Sequence, residues 1–174
     1  MGRRYPHRVR SVLVVMAMLL AGCVTQAAPG PAVLRTAPPP WPAPRDGVSQ
    51  FELAGVPASA LDDRSNQRTF VLRIVIDGEE VPVVAGIGVD RPRALQGPVH
   101  THDASGTLWL EGRGADEVTL DQFFRLWGVR FDARCLGATC GTLIVAADGR
   151  TIPDAGALRL ASVARTLRIT VTSG

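Results

Sequence analysis

The sequence predicts an α+β domain, a mixed and mainly antiparallel β-sheet of hairpins with one short helix packed on one face, β-grasp-like in arrangement. Three observations predict it. Short runs of β-branched and apolar residues are separated by Asp77-Gly78 and Asp148-Gly149, and Asp-Gly is a dipeptide that closes two-residue hairpins. One stretch, Thr119 to Gly128, carries a full set of helix start and stop signals. The order is four strands, one helix, then three or four strands, which segregates helix from sheet along the chain. A β-sandwich with one connecting helix satisfies the same order and is the alternative.

Residues 1–22 have the parts of an export signal peptide. Arg3, Arg4, Arg8 and Arg10 make a cationic start, Val12 to Leu20 is apolar, and Ala21-Gly22 is a small-residue exit. The apolar run is shorter than the roughly 20 residues that a membrane-crossing helix needs. The exit reads Leu20-Ala21-Gly22-Cys23, which resembles the lipobox of bacterial lipoproteins. That resemblance implies cleavage before Cys23, a diacylglycerol on its thiol and a further acyl chain such as palmitate on its amine. Stable anchoring takes two or more chains, because one chain binds only marginally. The expected location is therefore the cell membrane, lipid-anchored, on its extracytoplasmic face.

Seven of the 13 prolines fall between Val24 and Gln50, including the run Pro38-Pro39-Pro40-Trp41-Pro42-Ala43-Pro44. Such a stretch favours extended polyproline II, so residues 23–67 are expected to be the lipidated Cys and a stiff tether, with the globular domain at 68–174. Within the tether Phe51-Glu52-Leu53 is a candidate edge strand and Asp62 to Asn66 a loop. Thr69 to Ile76, the Asp77-Gly78 turn and Glu80 to Ala85 make the first hairpin, with Pro82 pushing its return strand toward an edge. Gly86 to Gly97, punctuated by Gly and Pro, is connection. Val99 to His102 and Thr107 to Glu111 make a second hairpin around Asp103-Ala104-Ser105-Gly106, whose Asp and Gly suit a type I turn.

The helix follows. Thr119 and Gln122 form a capping box, Val118 and Phe123 a hydrophobic staple, and Gly128 the stop. Leu120, Phe123, Phe124 and Trp127 share one face at helical spacing, so the helix packs onto the sheet. Cys135 and Cys140 come next. With Cys23 used by lipid, an even pair outside the cytoplasm is a disulfide closing a small loop through Gly137. Their spacing is not the redox Cys-x-x-Cys, and zinc would need two further ligands. Thr142 to Ala147 and Arg150 to Pro153 make a third hairpin, and alternating strands at Leu158 to Leu160 and Leu167 to Val171 end the domain.

Composition excludes some function classes. All 19 basic residues are Arg, and without the four in the export signal 15 of them face 16 acids. Such a near-neutral chain lacks the clustered basic face that nucleic acid requires. No phosphate loop, nucleophile elbow or zinc-protease helix is present. His102, Asp103 and Ser105 lie too close in sequence to converge as a triad, so no catalytic residue is assigned and an enzyme is the least favoured reading.

The stretch His100-Thr101-His102-Asp103-Ala104-Ser105-Gly106 poses the functional question. Pairing Asp103 with Gly106 sets His100 opposite Trp109 and Val99 opposite Leu110. Alternation then puts His100, His102, Thr107 and Trp109 on one face and Val99, Thr101, Leu108 and Leu110 on the other, core-directed face. Asp103 and Glu111 lie near the ends of the polar surface. Two imidazoles on one strand face can bind zinc or copper, with a carboxylate completing the shell, and His100, His102 and Asp103 are the candidate ligands. The competing reading is a polar face that binds a ligand or an envelope protein partner. In that reading Asp103 is consumed by its own turn.

The histidine stretch, together with Thr119-Leu120-Asp121-Gln122-Phe123-Phe124-Arg125-Leu126-Trp127-Gly128 and Ile87-Gly88-Val89, resembles the core of a bacterial family of exported, often membrane-anchored proteins of uncharacterised function. The resemblance runs from about Thr69 to Val171 and implies no particular activity. It does imply histidines in the strand matching Phe70 to Ile76, which here reads Phe-Val-Leu-Arg-Ile-Val-Ile. The expectation is thus a lipid-anchored binding module with a monomeric soluble domain, and a metal-binding lipoprotein is the second reading.

Overall fold

The computed structural model describes residues 32–174, so the export signal and Cys23 lie outside the described residues. Among the described residues two helices and a short 3₁₀ turn at Leu160–Ser162, part of the Leu158 to Leu160 stretch expected as a strand, accompany the strands, and the fold is α+β as expected. In chain order the elements are α1 (Gly47–Ala54), β1 (Ser59–Ala60), β2 (Arg68–Ile76), β3 (Glu79–Val81), β4 (Val89–Asp90), β5 (Leu95–Gln96), β6 (Val99–His100), β7 (Thr107–Leu110), α2 (Leu120–Trp127), β8 (Cys135–Leu136), β9 (Thr139–Ala147), β10 (Arg150–Thr151) and β11 (Thr166–Ser173).

The main sheet runs β10-β9-β11-β2-β7-β6, with β3 paired to the far end of β2 and β8 paired to β9. Its centre is the parallel pair β2 and β11, in register from Val71 with Thr166 to Ile76 with Val171. Parallel neighbours cannot be joined by a tight turn. The chain between them therefore makes the long excursion that includes α2. Every other pairing is antiparallel, as in a β-grasp arrangement. The hairpin of β6 and β7 forms, with β7 paired to β2 and β6 at the sheet edge. These strands form one hydrogen-bonded path covered by a helix, so the sandwich alternative is not adopted.

One sheet face is the core. Phe70, Leu72, Ile74 and Ile76 alternate inward on β2, and Leu167, Ile169 and Val171 do so on β11. Helix α2 lies over them with Phe123, Phe124, Leu126 and Trp127 fully buried, each side chain contributing about 1.5–3 kcal/mol of burial. Its capping box forms as read. Thr119 Oγ1 accepts the Gln122 amide at 3.3 Å, the Thr119 amide donates to the Gln122 side chain at 3.0 Å, and Gly128 ends the helix at φ 68°. Both Asp-Gly turns adopt the left-handed conformation at both residues that two-residue hairpins need. Cys135 and Cys140 face each other across β8 and β9 and are disulfide-bonded.

The expected domain start at residue 68 needs correction. The described residues, 32–174, belong to one compact unit. Arg35 pairs with Val129, its amide donating to the Gly128 carbonyl at 2.8 Å, and the Ala138 amide donates to Ala37 at 3.2 Å. Trp41 is 1% exposed, packs edge-on against Trp127 at 5.6 Å, and lies where a side chain at Gly137 would be. The proline-rich segment is therefore a strap docked along the end of α2 and the disulfide hairpin. Next in the chain, Phe51-Glu52-Leu53 is helical, because α1 buries Gln50, Phe51 and Ala54 against α2. The Asp90 carboxylate receives the Gly47 amide at 3.1 Å and caps α1 from another element.

Candidate metal centre

The second hairpin folds in the expected register, with His100 opposite Trp109 and Val99 opposite Leu110. Val99, Thr101, Leu108 and Leu110 are buried on the core side, as alternation requires. Thr101 is a polar anchor there, its hydroxyl donating to the Val84 carbonyl at 2.7 Å and accepting the Ile87 amide at 3.0 Å. The ring of His102 meets Trp109 edge-on at 4.8 Å.

The opposite face differs from a free polar surface. Strands β1, β5 and β4 form a small separate sheet, and the stretch from Gly86 to Gly97, read as mere connection, crosses beside His100. Gly88, at φ 69°, passes so close to the Val99 carbonyl and the His100 Cβ that a side chain there would collide. The Gly97 amide donates to the Gly88 carbonyl at 2.9 Å and closes this cover. Consequently His100 is 0% exposed and Glu111, one residue past β7, is 3% exposed. His102, just beyond β6, remains exposed.

Three ligand-type atoms converge in this setting. His100 Nε2 is 3.2 Å from His102 Nε2 and 3.4 Å from Glu111 Oε2, and all three atoms lie within 4.8 Å of one another. A tetrahedral zinc ion about 2.1 Å from each ligand holds neighbouring ligands about 3.4 Å apart, so the two short separations match edges of such a shell.

Hydrogen bonding fixes which atoms face inward. His100 Nδ1 lies 3.3 Å from the Gly97 carbonyl, which can only accept, and in the tautomer with the proton on Nδ1 the Nε2 lone pair is presented toward His102 and Glu111. Burial holds the His100 imidazole below the ordinary histidine range and outweighs the Gly97 carbonyl and the Glu111 carboxylate, which pull it upward. The ring is thus neutral near pH 7, and its contact with Glu111 is not an ion pair. Glu111 is steadied by its amide, which donates to the Pro98 carbonyl at 3.1 Å, and by Gln96. The Gln96 side-chain amide donates to the Asp63 carbonyl at 2.8 Å and reaches to 3.5 Å of Glu111 Oε2. With the His100 proton on Nδ1, a cation between Nε2 and the carboxylate oxygen would be attracted to both. The Gly97 carbonyl beside His100 and the Gln96 side chain beside Glu111 are the kind of outer partners that metal ligands ordinarily have.

Asp103 does not join this group. It is exposed, and its Oδ1 accepts the Ser105 amide at 2.8 Å, which holds its pKa below the usual carboxylate value. The turn consumes it. Glu111 is instead the carboxylate that converges on the two histidines, and the same register already set it near the end of that surface. What decides between the two acids is the cover over β6, which comes from residues 59–97. Nor does β2 supply a ligand, since Phe70 to Ile76 has none.

No family model, curated protein or solved structure matches this chain. The chemistry of the centre is accordingly read from its own geometry. Two imidazole nitrogens and one carboxyl oxygen form a borderline-to-hard donor set suited to zinc or copper(II). Among the described residues the group contains no thiolate or thioether, the donors that select copper(I).

Proposed function

We propose that this protein is a divalent-metal-binding module of the cell envelope, held at the membrane by lipid on Cys23, with His100, His102 and Glu111 as ligands for zinc or copper(II). The observation that carries the reading is the convergence of three ligand-type atoms within 4.8 Å of one another, two of them on buried residues, with two of the separations matching edges of a tetrahedral shell. The alternative of a polar docking face loses support because His100 is wholly enclosed. Three protein ligands leave one coordination position for solvent or an exogenous donor, so the site differs from closed four-ligand structural sites.

Metal titration of the purified protein with Zn²⁺ and Cu²⁺ tests the reading. One equivalent binds per chain, and at a free ion concentration of about 100 Kd the unfolding free energy rises by about 2.7 kcal/mol. His102→Ala removes an exposed ligand and Glu111→Gln is nearly isosteric, so both variants fold. Each weakens binding by at least the roughly 10–100-fold that loss of an outer-shell partner alone costs. Equal binding by both variants and the wild type overturns the reading.

A further inference from the structure

The three ligands are held unequally. His100 is enclosed, sits in the last register pair of β6 and is oriented by the Gly97 carbonyl. Glu111 is enclosed and tied through its own amide to Pro98, with Gln96 alongside. His102 lies outside β6, is exposed, and among the described residues its only hydrogen-bond contact is the Nε2 approach to His100. Its second restraint is the edge of the Trp109 ring. Two ligands are thus fixed by the fold, and the third is free to rotate away about its own side-chain torsions.

From this asymmetry we infer that the centre passes its ion on: an incoming donor from an acceptor protein or small chelator binds the metal at the open position, and His102 then leaves. This inference rests on the metal reading above. In the exchange a new donor–metal bond forms and the bond to His102 Nε2 breaks, with both electron pairs staying on their ligand atoms. Nothing is oxidised or reduced, and no proton is needed because all three protein ligands are already unprotonated when the ion is bound. The acceptor offers nitrogen, thiolate or carboxylate donors able to reach an ion whose one exposed side is marked by His102. His100 and Glu111 keep the half-released ion in place until the second acceptor donor binds. The buried pair confers retention, and the exposed histidine confers a path out.

The rate law of ion loss tests this. Zinc-loaded protein is mixed with excess 4-(2-pyridylazo)resorcinol, a chromophoric chelator, and release is followed by absorbance over a range of chelator concentrations. Ligand exchange predicts a rate that rises in proportion to chelator concentration, and His102→Ala, which lacks the ligand that must depart, releases at least about tenfold faster at each concentration. A rate independent of chelator concentration means the ion leaves unaided from a closed site and overturns the inference while the metal reading stands. Unchanged release in His102→Ala likewise overturns it. Protein that takes up no stoichiometric zinc before mixing overturns the metal reading itself, so the two failures are distinguishable.

Discussion

Among single residues, the aspartates of the two Asp-Gly turns do more than allow the turn. Asp148 accepts the amides of Ala164, Arg165 and Thr166 at 2.8, 2.9 and 2.9 Å, and Asp77 accepts the Ser173 amide at 2.7 Å. Both ends of β11 are therefore tied to hairpin turns on neighbouring strands. Only the turn chemistry was legible in the sequence, because the partners lie 16 to 18 residues away for Asp148 and 96 residues away for Asp77. The three amides hold the Asp148 pKa below its ordinary value. A carboxylate lowered in the folded state stabilises above its unfolded pKa of about 3.9, and this contribution is lost as pH falls through the lower folded value. Asp148→Asn keeps a residue that tolerates the left-handed turn but removes the charge. Its unfolding midpoint should fall below that of the wild type at pH 7, and the two midpoints should converge by about pH 2. Thermal unfolding across that range checks this, and a gap that persists undiminished in acid would contradict it.

Among the elements, α2 and the strap before α1 contrast in how far they could be read. Helix α2 announces itself locally, since capping box, stop glycine and apolar face all lie within ten residues. The strap carries no periodicity, and its one informative side chain, Trp41, is explained only by Trp127 and Gly137 far along the chain. Proline-rich composition argued for a solvated tether, but an extended backbone can also lie along a groove when an aromatic anchors it. The indole nitrogens of the pair are satisfied as well, Trp41 donating to Ala37 and Trp127 to Trp41 carbonyls at 2.9 and 3.2 Å. Trp41→Ala should cost about 3–5 kcal/mol, as large aromatic truncations in a core do. Chemical denaturation checks the magnitude. A loss under about 1 kcal/mol would mean that the segment is a tether after all.

For the molecule as a whole, the testable expectation is where the chain is held. The anchor is an expectation from Leu20-Ala21-Gly22-Cys23, residues outside those described. Cys23→Ser should move the protein from the membrane to the soluble fraction, since the signal run alone is too short to span a bilayer. Fractionation checks this, and continued tight membrane association of the variant would count against lipidation. The structure adds that residues from about 35 onward belong to the folded unit.

The sequence by itself determined the three hairpins, the register of the second, helix α2 and the disulfide, because each is set by alternation, turn chemistry or spacing over a few neighbouring residues. It also set both histidines on one face, with Glu111 within reach. Tertiary structure alone decided which face is buried and which carboxylate converges. It did so by laying the small sheet and the Gly88 crossing over His100, and by drawing the proline-rich strap against α2. Those contacts join residues far apart in sequence, and no local pattern encodes a long-range burial.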